Sequence, residues 1–270
     1  MGNSSNTKKD FVEIRSYSEG LAAARKGKLW GFINKEKEEV IPFLFDEVND
    51  FNEKVAIVKL NGKWGVVDIN GKFVIDAIYD SISGSYKLPN MVVFGVNKKY
   101  RFGIIDKDGK EILPTVFEDS IMFYDGIAII KRYGKEGFVD DTCKVVLPPK
   151  YDCIYGFREG LGLVKDSGMY GYIDKEGKEV IKVQYEQAEP FSDGLAAIVK
   201  GGKCGYIDKD GTEVVKPTYK IKGFLGEENA FFDDWAYFQV NNNKYCYIHK
   251  DGDNYTQELI TKKELDNKLQ

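Results

Sequence analysis

The sequence predicts an all-β protein built from seven tandem antiparallel β-meander repeats of about 34 residues, followed by a short C-terminal helix. The first observation is an aromatic residue that recurs at steps of 34 residues, with one step of 38, at Phe11, Phe45, Tyr79, Phe117, Tyr151, Tyr185 and Tyr219. The second is a glycine that follows by 20 positions in five repeats, at Gly31, Gly65, Gly137, Gly171 and Gly205. The third is that the apolar runs are as short as strands and are separated by turn dipeptides such as Asn61-Gly62.

The recurring glycine is the second member of an aromatic-glycine pair. The residue before it is aromatic at Trp30, Trp64, Phe102 and Tyr170, where Phe102 precedes Gly103 of the third repeat. Glu136 and Cys204 interrupt the aromatic position, and the seventh repeat has Cys246 in place of the glycine. Glycine weakens the interior of a strand and often marks a place where another group comes close to the backbone. We therefore expect a neighbouring backbone or ring to approach this glycine.

Each repeat contains at least three apolar runs. In the sixth repeat these runs are Tyr185–Glu189, Leu195–Lys200, Gly205–Asp208 and Glu213–Lys216. The links between them are too short for parallel crossovers, which predicts antiparallel pairing. Ordering one repeat costs about 50 kcal/mol of conformational entropy, which needs about 2,000 Å² of buried apolar surface. A lone meander cannot bury that much, so we expect neighbouring repeats to supply the second face of each core.

The segment from Gly194 to Asp208, continued by Lys-Asp-Gly-Thr-Glu-Val-Val, resembles the bacterial WG repeat, as does Lys63-Trp64-Gly65 with Asp68 and Gly71 behind it. The resemblance covers roughly Phe11 to Ile260. It implies a protein-interaction or surface repeat, and it supplies no catalytic residue to carry over. The repeat-structural positions it marks are Trp30, Gly31, Trp64, Gly65, Phe102, Gly103, Gly137, Tyr170, Gly171 and Gly205.

The chain is expected to divide into a disordered polar tail at residues 1–10, one repeat domain at 11–260 and a capping helix at 261–270. Thr261 and Glu264 have the spacing of a capping box, which predicts where this helix begins. A helix that covers the last repeat favours an open twisted stack with capped ends. The alternative is a seven-bladed propeller-like ring, because seven falls within the number of blades that propellers use.

Composition excludes several classes of function. The net charge of -4, with both signs interspersed, argues against a nucleic-acid groove. No run approaches the ~20 apolar residues of a membrane helix. His249 is the single histidine, and Cys143, Cys153, Cys204 and Cys246 form no Cys-x-x-Cys pair. We therefore expect no metal site, no cofactor and no disulfide framework, with the cysteines acting as small buried hydrophobes and His249 at the surface.

The two lengthened repeats supply the candidate binding residues. Both are extended in the same segment, at Ser81–Asn90 and Lys220–Asp234, and insertions in repeats usually project from one face. The sequence predicts a protein or glycan ligand, bound through Phe231, Phe232, Trp235 and Tyr86. The alternative is that the aromatic residues of the seventh repeat fold back over the end of the array as a cap.

The main expectation is a non-catalytic binding or scaffold module, with a structural spacer as one alternative. A carbohydrate-active hydrolase is another, because an acid follows the recurring aromatic residue at Asp46, Asp80, Glu118, Asp152 and Glu186. An acid that recurs in one register is better explained by a turn contact. The Asp-Lys-Asp-Gly segments at 106–109 and 208–211 are likewise expected to be hairpin turns rather than calcium loops.

The polar composition of the first ten residues leads us to expect an exported or surface-anchored protein, with a cytoplasmic location as the alternative. The first residues do not fit a myristoylation motif, because Asn6 stands where Ser or Thr is needed. Ligand identity, oligomeric state and the true N-terminus are left open by the sequence.

Overall fold

A computed structural model describes residues 11–226, 229–251 and 254–269. Over these residues the chain is all-β apart from one short helix, and its strands form seven antiparallel sheets that correspond to the seven repeats. The predicted all-β repeat fold is therefore confirmed. The tail at residues 1–10, predicted to be disordered, lies outside the described residues.

Within each of the first four sheets the strands run in chain order. Sheet 1 contains β1 (Glu13–Ser18), β2 (Leu21–Lys26), β3 (Leu29–Ile33) and β4 (Glu39–Phe45). Sheet 2 contains β5 (Glu47–Val48), β6 (Val55–Leu60), β7 (Lys63–Asp68) and β8 (Phe73–Tyr79). Sheet 3 contains β9 (Ser81–Leu88), β10 (Met91–Lys98), β11 (Arg101–Asp106) and β12 (Glu111–Phe117). Sheet 4 contains β13 (Phe123–Tyr124), β14 (Ile127–Arg132), β15 (Lys135–Asp140) and β16 (Val145–Tyr151).

The remaining sheets follow the same order. Sheet 5 contains β17 (Cys153–Arg158), β18 (Leu161–Asp166), β19 (Met169–Ile173) and β20 (Glu179–Tyr185). Sheet 6 contains β21 (Gln187–Ala188), β22 (Ala196–Lys200), β23 (Lys203–Ile207) and β24 (Glu213–Lys220). Sheet 7 has three strands among the described residues, β25 (Trp235–Asn241), β26 (Lys244–Asp251) and β27 (Asn254–Thr261), and helix α1 spans Lys262–Lys268.

The fold divides into two compact units. Unit 1 comprises residues 1–132 and 139–144, and unit 2 comprises residues 133–138 and 145–270. The division falls within the fourth repeat, with β14 in unit 1 and β16 in unit 2. Two expectations stay predictions. One is the single repeat domain over residues 11–260, and the other is the open stack, with a ring as its alternative.

The recurring glycine lies where the fourth strand of each of the first six sheets crosses the third. In sheet 2, Trp64 pairs with the recurring Tyr79, and the register shifts before Val66 pairs with Ile75. A Cβ atom added to Gly65 would lie 2.6 Å from the Ile75 carbonyl oxygen. The carbonyl of the fourth strand crowds the same position at Gly31, Gly103, Gly137, Gly171 and Gly205. The expected close approach of a neighbouring backbone is therefore present in six sheets among the described residues.

The seventh repeat shows why this position can hold another residue. Strands β26 and β27 pair without a register shift, and Cys246 lies opposite Leu259. Because β27 is not displaced across it, the side chain of Cys246 fits and is completely buried. The glycine is thus required by the register shift rather than by the strand itself.

Neighbouring repeats share their cores, as the sequence predicted. In unit 1, Phe32 of sheet 1 packs edge-on against Phe51 of the second repeat, with ring centroids 4.7 Å apart. In unit 2, Tyr172 of sheet 5 packs in the same way against Phe191 of the sixth repeat, at 4.8 Å. Each buried ring is therefore covered by the repeat that follows it.

Helix α1 covers part of sheet 7. Thr261 is its N-cap and forms the predicted capping box with Glu264: its hydroxyl accepts the amide hydrogen bond of Glu264, and its own amide donates to the Glu264 carboxylate. Leu265 is buried in a cluster with Tyr247 and Ile260 of the last two strands. The predicted short C-terminal helix is thus confirmed, with helical residues from Lys262 to Lys268.

Candidate functional site

The acids that follow the recurring aromatic residue hold hairpin turns together. The carboxylate of Asp152 accepts a hydrogen bond from the Ser167 amide at 2.7 Å and from Lys135 Nζ at 2.6 Å. Asp80 makes the equivalent contacts with Lys63 and the Lys99 amide. The pKa of both carboxyls is lowered, mainly by the hydrogen bond from lysine and next by the hydrogen bond from the backbone amide. The same acid binds the turn amide of Gly62 through Asp46 and of Gly202 through Glu186. These contacts are the turn contacts expected from the sequence.

The recurring aspartate at the end of the third strand closes the next turn. One oxygen of Asp174 accepts hydrogen bonds from the amides of Glu176 and Lys178. Asp68, Asp106, Asp140 and Asp208 repeat this arrangement. Among the residues that the structure describes, no group of three or more acidic, histidine or cysteine side chains is placed to hold a metal ion.

Three of the four cysteines are buried, as the sequence predicted, and the histidine lies at the surface. Cys204 and Cys246 are completely buried, Cys143 is 5% exposed and Cys153 is half-buried. Burial raises the pKa of the Cys246 thiol to about 12 and that of the Cys143 thiol to about 11. His249 is exposed. Cys153 thus departs from the prediction of four buried cysteines.

The insertion of the seventh repeat places its two adjacent phenylalanines on opposite sides of the chain. Phe231 is 1% exposed and packs edge-on against Tyr206 and Tyr255. It therefore occupies the core position that Phe51 and Phe191 hold in earlier repeats, each against a buried ring of the preceding sheet. The prediction that Phe231 contacts a ligand is corrected by this burial.

Trp235 is also used in packing. Its ring is half-buried and stacks on Tyr237 at 6.0 Å and on Tyr247 at 6.4 Å. It holds the position of Leu195 in the sixth repeat, because both residues form the same isolated bridge at the first hairpin. The structure therefore places Trp235 beside the predicted contact region but in a structural position.

Phe232 is the exposed aromatic residue of this insertion. It is 66% exposed, and its backbone is fixed by reciprocal hydrogen bonds with Trp235, of 2.9 Å and 3.1 Å. The equivalent bridge positions are Asn52 in the second repeat and Ser192 in the sixth. A large apolar ring therefore stands where the second and sixth repeats have small polar side chains.

Phe232 lines a groove of about 520 Å³ in unit 2. The groove extends to the first hairpin turns of the fifth and sixth repeats, and its lining includes Arg158, Glu159, Glu189, Phe191 and Asp193. Phe191 is buried at the groove floor, whereas Arg158, Glu159 and Asp193 are exposed. The groove thus combines one exposed ring with one arginine and three carboxylates.

The carboxylates of the groove also join consecutive repeats. Glu159 accepts a hydrogen bond from the Gly194 amide at 3.1 Å and pairs with Lys209 at 3.0 Å. Asp193 accepts the Asp233 amide at 2.8 Å. The sequence interpretation missed this series. Its signal is an acid eight residues after the recurring aromatic residue, at Glu19, Glu53, Asp125, Glu159 and Asp193.

The insertion of the third repeat forms a separate cavity in unit 1. It lengthens β9 to eight residues, and Tyr86 of this strand lines a cavity of about 280 Å³ together with Phe102 and Met122. The Tyr86 ring is half-buried and lies 6.4 Å from that of Phe123. The structure therefore places Tyr86 in a cavity that the other predicted ligand residues do not line.

Within the part of the chain that the structure describes, no helix is both long and apolar enough to cross a membrane.

Solved structures resemble the chain only distantly. Hsv2p from Kluyveromyces lactis is 10% identical over 93% of this chain and 97% of its own, with a TM-score of 0.33. BamB from Moraxella catarrhalis is 12% identical over 89% of this chain and 81% of its own, with a TM-score of 0.30. The computationally designed Ika8 protein is 12% identical over 93% of this chain and 83% of its own, with a TM-score of 0.30.

No curated protein matches the chain in sequence. The WG containing repeat, in contrast, is recognised seven times, at residues 8–30, 30–64, 64–100, 102–135, 137–169, 170–204 and 205–220. These matches cover most of the chain and have the same spacing as the aromatic-glycine pairs of the first six sheets. The chain therefore belongs to the family of proteins with WG containing repeats.

Proposed function

We propose that this protein is a non-catalytic binding module that recognises a protein ligand through the groove around Phe232. The observation that carries the proposal is the position of Phe232, which is 66% exposed at a bridge position that holds Asn52 and Ser192 in other repeats. The fold gains no core packing from a ring at this place. Exposed aromatic residues beside a groove are common anchors of protein interfaces.

The backbone on both sides of Phe232 is already ordered. Reciprocal hydrogen bonds join it to Trp235, the Asp233 amide is held by Asp193, and the preceding Phe231 is buried. Ordering a loop on binding normally reduces affinity, and a ring presented from a fixed turn avoids much of that loss. This arrangement supports recognition of a partner by a preformed surface.

The charge of the groove favours a cationic ligand. Its lining includes Glu159, Glu189 and Asp193 and one basic side chain, Arg158, while Lys209 pairs with Glu159, so the carboxylates still outnumber the cations. Complementary charge speeds association and discriminates against acidic partners. We therefore expect a peptide segment with lysine or arginine next to an apolar residue, whose side chain covers the Phe232 ring.

Two contacts disfavour a hydrolase that uses these acids. Glu159 and Asp193 both bind backbone amides of the following repeat, and the recurring acids such as Asp152 bind hairpin amides. Hydrolysis by a carboxylate pair needs one acid and one base with different environments. The repeated contacts instead give these carboxylates a similar structural role in several repeats.

The test compares two exposed phenylalanines of the same insertion. Phe232→Ala removes the ring at the groove, whereas Phe224→Ala removes a ring that is 83% exposed and does not line it. Basic, acidic and neutral peptide arrays and a glycan array are probed with wild type and both variants, and affinities are measured by calorimetry. We expect binding to a basic peptide that Phe232→Ala weakens by about tenfold or more and Phe224→Ala leaves unchanged.

Each other outcome contradicts part of the proposal. Binding to a glycan alone would replace the protein ligand by a sugar, and equal loss in both variants would reject the groove. No binding by any probe would favour a structural spacer. Release of sugar from chromogenic glycosides, if lost on Glu159→Gln but retained in Phe232→Ala, would show a hydrolase.

A further inference from the structure

The first strands of sheets 1, 3 and 5 share a β-bulge that the sequence repeat does not reveal. In each, two residues oppose one residue of the second strand, which shifts the register. The first of the two bulged residues is Arg15 in sheet 1, Ser83 in sheet 3 and Tyr155 in sheet 5. A bulge re-aims the side chains that it carries and is often found beside functional sites.

In sheets 1 and 5 the bulged side chain covers an aromatic ring of the third strand. The guanidinium carbon of Arg15 lies 4.3 Å from the centre of the Trp30 ring, and Arg15 also donates to the Val48 carbonyl at 2.8 Å. The Tyr155 ring stacks on Tyr170 with centroids 6.1 Å apart and planes 29° apart. Each of these two sheets thus supplies its own planar group to the ring.

Sheet 3 lacks this group. Its aromatic residue is Phe102, but the bulged residue is Ser83, whose hydroxyl donates to the Gly95 carbonyl at 3.1 Å. Residue 95 opposite the bulge is glycine and adds no side chain. The result is a cavity of about 280 Å³ beside Phe102, here named the Phe102 site, whose lining also includes Ser81, Tyr86, Asn97, Ser120 and Met122.

We propose that the Phe102 site binds a neutral aromatic ring that bears a hydroxyl group, either a small phenol or the tyrosyl side chain of a peptide. The ring would take the place that Tyr155 occupies on Tyr170 in sheet 5. The size is sufficient, because a cavity of about 150 Å³ admits benzene. Ser81, Asn97 and Ser120 provide donors and acceptors for the hydroxyl group, while Tyr86, Phe102 and Met122 provide apolar contact.

The lining distinguishes a phenol from a cation. Arg15 in sheet 1 is balanced by Asp50, 3.8 Å away in the second repeat. The position of Asp50, five residues after the recurring aromatic residue, is occupied in the fourth repeat by Met122. The lining of the Phe102 site includes no charged side chain. A guanidinium group bound here would therefore lose its hydration without gaining a carboxylate partner. A neutral ring has no charge to desolvate and does not incur this cost.

This inference is independent of the proposed function, because none of its residues line the groove around Phe232. Calorimetry and ligand-observed NMR with p-cresol test it, with 4-methylcyclohexanol as the non-aromatic control of similar size. We expect saturable binding of p-cresol at one site and weaker binding of the control by about two- to tenfold, since a pair of aromatic rings stabilises the complex beyond the area that it buries. No saturable binding of p-cresol would overturn the proposal.

Three variants locate the site. Ser83→Tyr supplies the missing ring from within and should abolish binding with an unchanged circular dichroism spectrum. Phe102→Leu keeps the apolar core but removes the ring, and should weaken binding by about two- to tenfold. Tyr155→Ser opens the equivalent space in sheet 5 and should raise the stoichiometry from one to two. Undiminished binding in Ser83→Tyr, or unchanged stoichiometry in Tyr155→Ser, would contradict the assignment.

A peptide arm identifies the source of the ring. Acetyl-Gly-Tyr-Gly-amide is compared with its leucine analogue under the same conditions. Stronger binding of the tyrosine peptide than of p-cresol assigns the site to a protein partner, whereas stronger binding of p-cresol assigns it to a small phenol. Equal binding of the tyrosine and leucine peptides would reject recognition of a tyrosyl ring.

Discussion

Replacement of Gly65 by alanine tests the physical reason for the recurring glycine. The new Cβ would lie 2.6 Å from the Ile75 carbonyl oxygen, 2.8 Å from the Ala77 nitrogen and 2.9 Å from its Cα. These neighbours are backbone atoms of β8, so none can turn aside as the end of a side chain would. The strand must move, which disturbs the pairing of Trp64 with Tyr79.

Forced overpacking of this kind costs about 1–3 kcal/mol, and the lack of a flexible neighbour places Gly65→Ala in the upper half of that range. For a unit of this size the melting temperature should fall by roughly 5–10 °C. Trp30 and Trp64 lie in unit 1 and Trp235 lies in unit 2, so tryptophan fluorescence during urea denaturation reports on both.

Gly84→Ala is the matched control in the same unit. A Cβ at Gly84 meets nothing within 4 Å, and its φ lies outside the left-handed region. We expect a change of at most about 1 kcal/mol, in either direction. Equal destabilisation by Gly65→Ala and Gly84→Ala would refute the close-approach explanation, as would a Gly65→Ala variant as stable as wild type.

Three further perturbations follow from local contacts. Asp152→Asn removes the charged hydrogen bond with Lys135. Because the pKa of Asp152 is lowered in the folded protein, this carboxylate stabilises the fold fully when the pH is above its ordinary pKa. The stabilisation is lost as the pH falls through the lowered pKa. The melting-temperature difference from wild type should therefore persist near neutral pH and vanish in strong acid. Thiol titration at about pH 8 should modify the half-buried Cys153 before Cys246, whose pKa is about 12; faster labelling of Cys246 would contradict its burial. Thr261→Ala should cost about 1 kcal/mol by removing the helix cap, measured by urea denaturation, and an unchanged midpoint would contradict the capping role.

The repeat register could be predicted because it follows from local chemistry. Three residues meet the same local structural requirement from sheet to sheet: the glycine, the recurring aromatic residue and the turn aspartate. They therefore recur at the same spacing in the sequence. The fourth strand contains Pro42, Pro114 and Pro148 in three of the sheets, and proline disrupts central strands. The structure shows that this strand is at the edge of its sheet, where proline is tolerated.

The binding residues could be predicted only in part. Phe231 and Phe232 are adjacent, and neighbouring residues of an extended chain point to opposite sides. The insertion before them hides which of the two continues the core position of Phe51 and Phe191, so the sequence could not separate the buried ring from the exposed one. The bulge at Ser83 was hidden for a similar reason, because it exists only in the pairing of two strands.

Amide hydrogen exchange along the intact chain tests the central structural claim, that each repeat of about 34 residues forms its own sheet and completes its core on a neighbour. Protection should peak at the second and third strands of every repeat, as at β6–β7 and β22–β23, and fall at the turns between them. Glu159→Ala should lower the protection of the Gly194 amide in the following repeat. Protected blocks that ignore the repeat spacing, or continuous helical protection across the hairpins, would contradict the account.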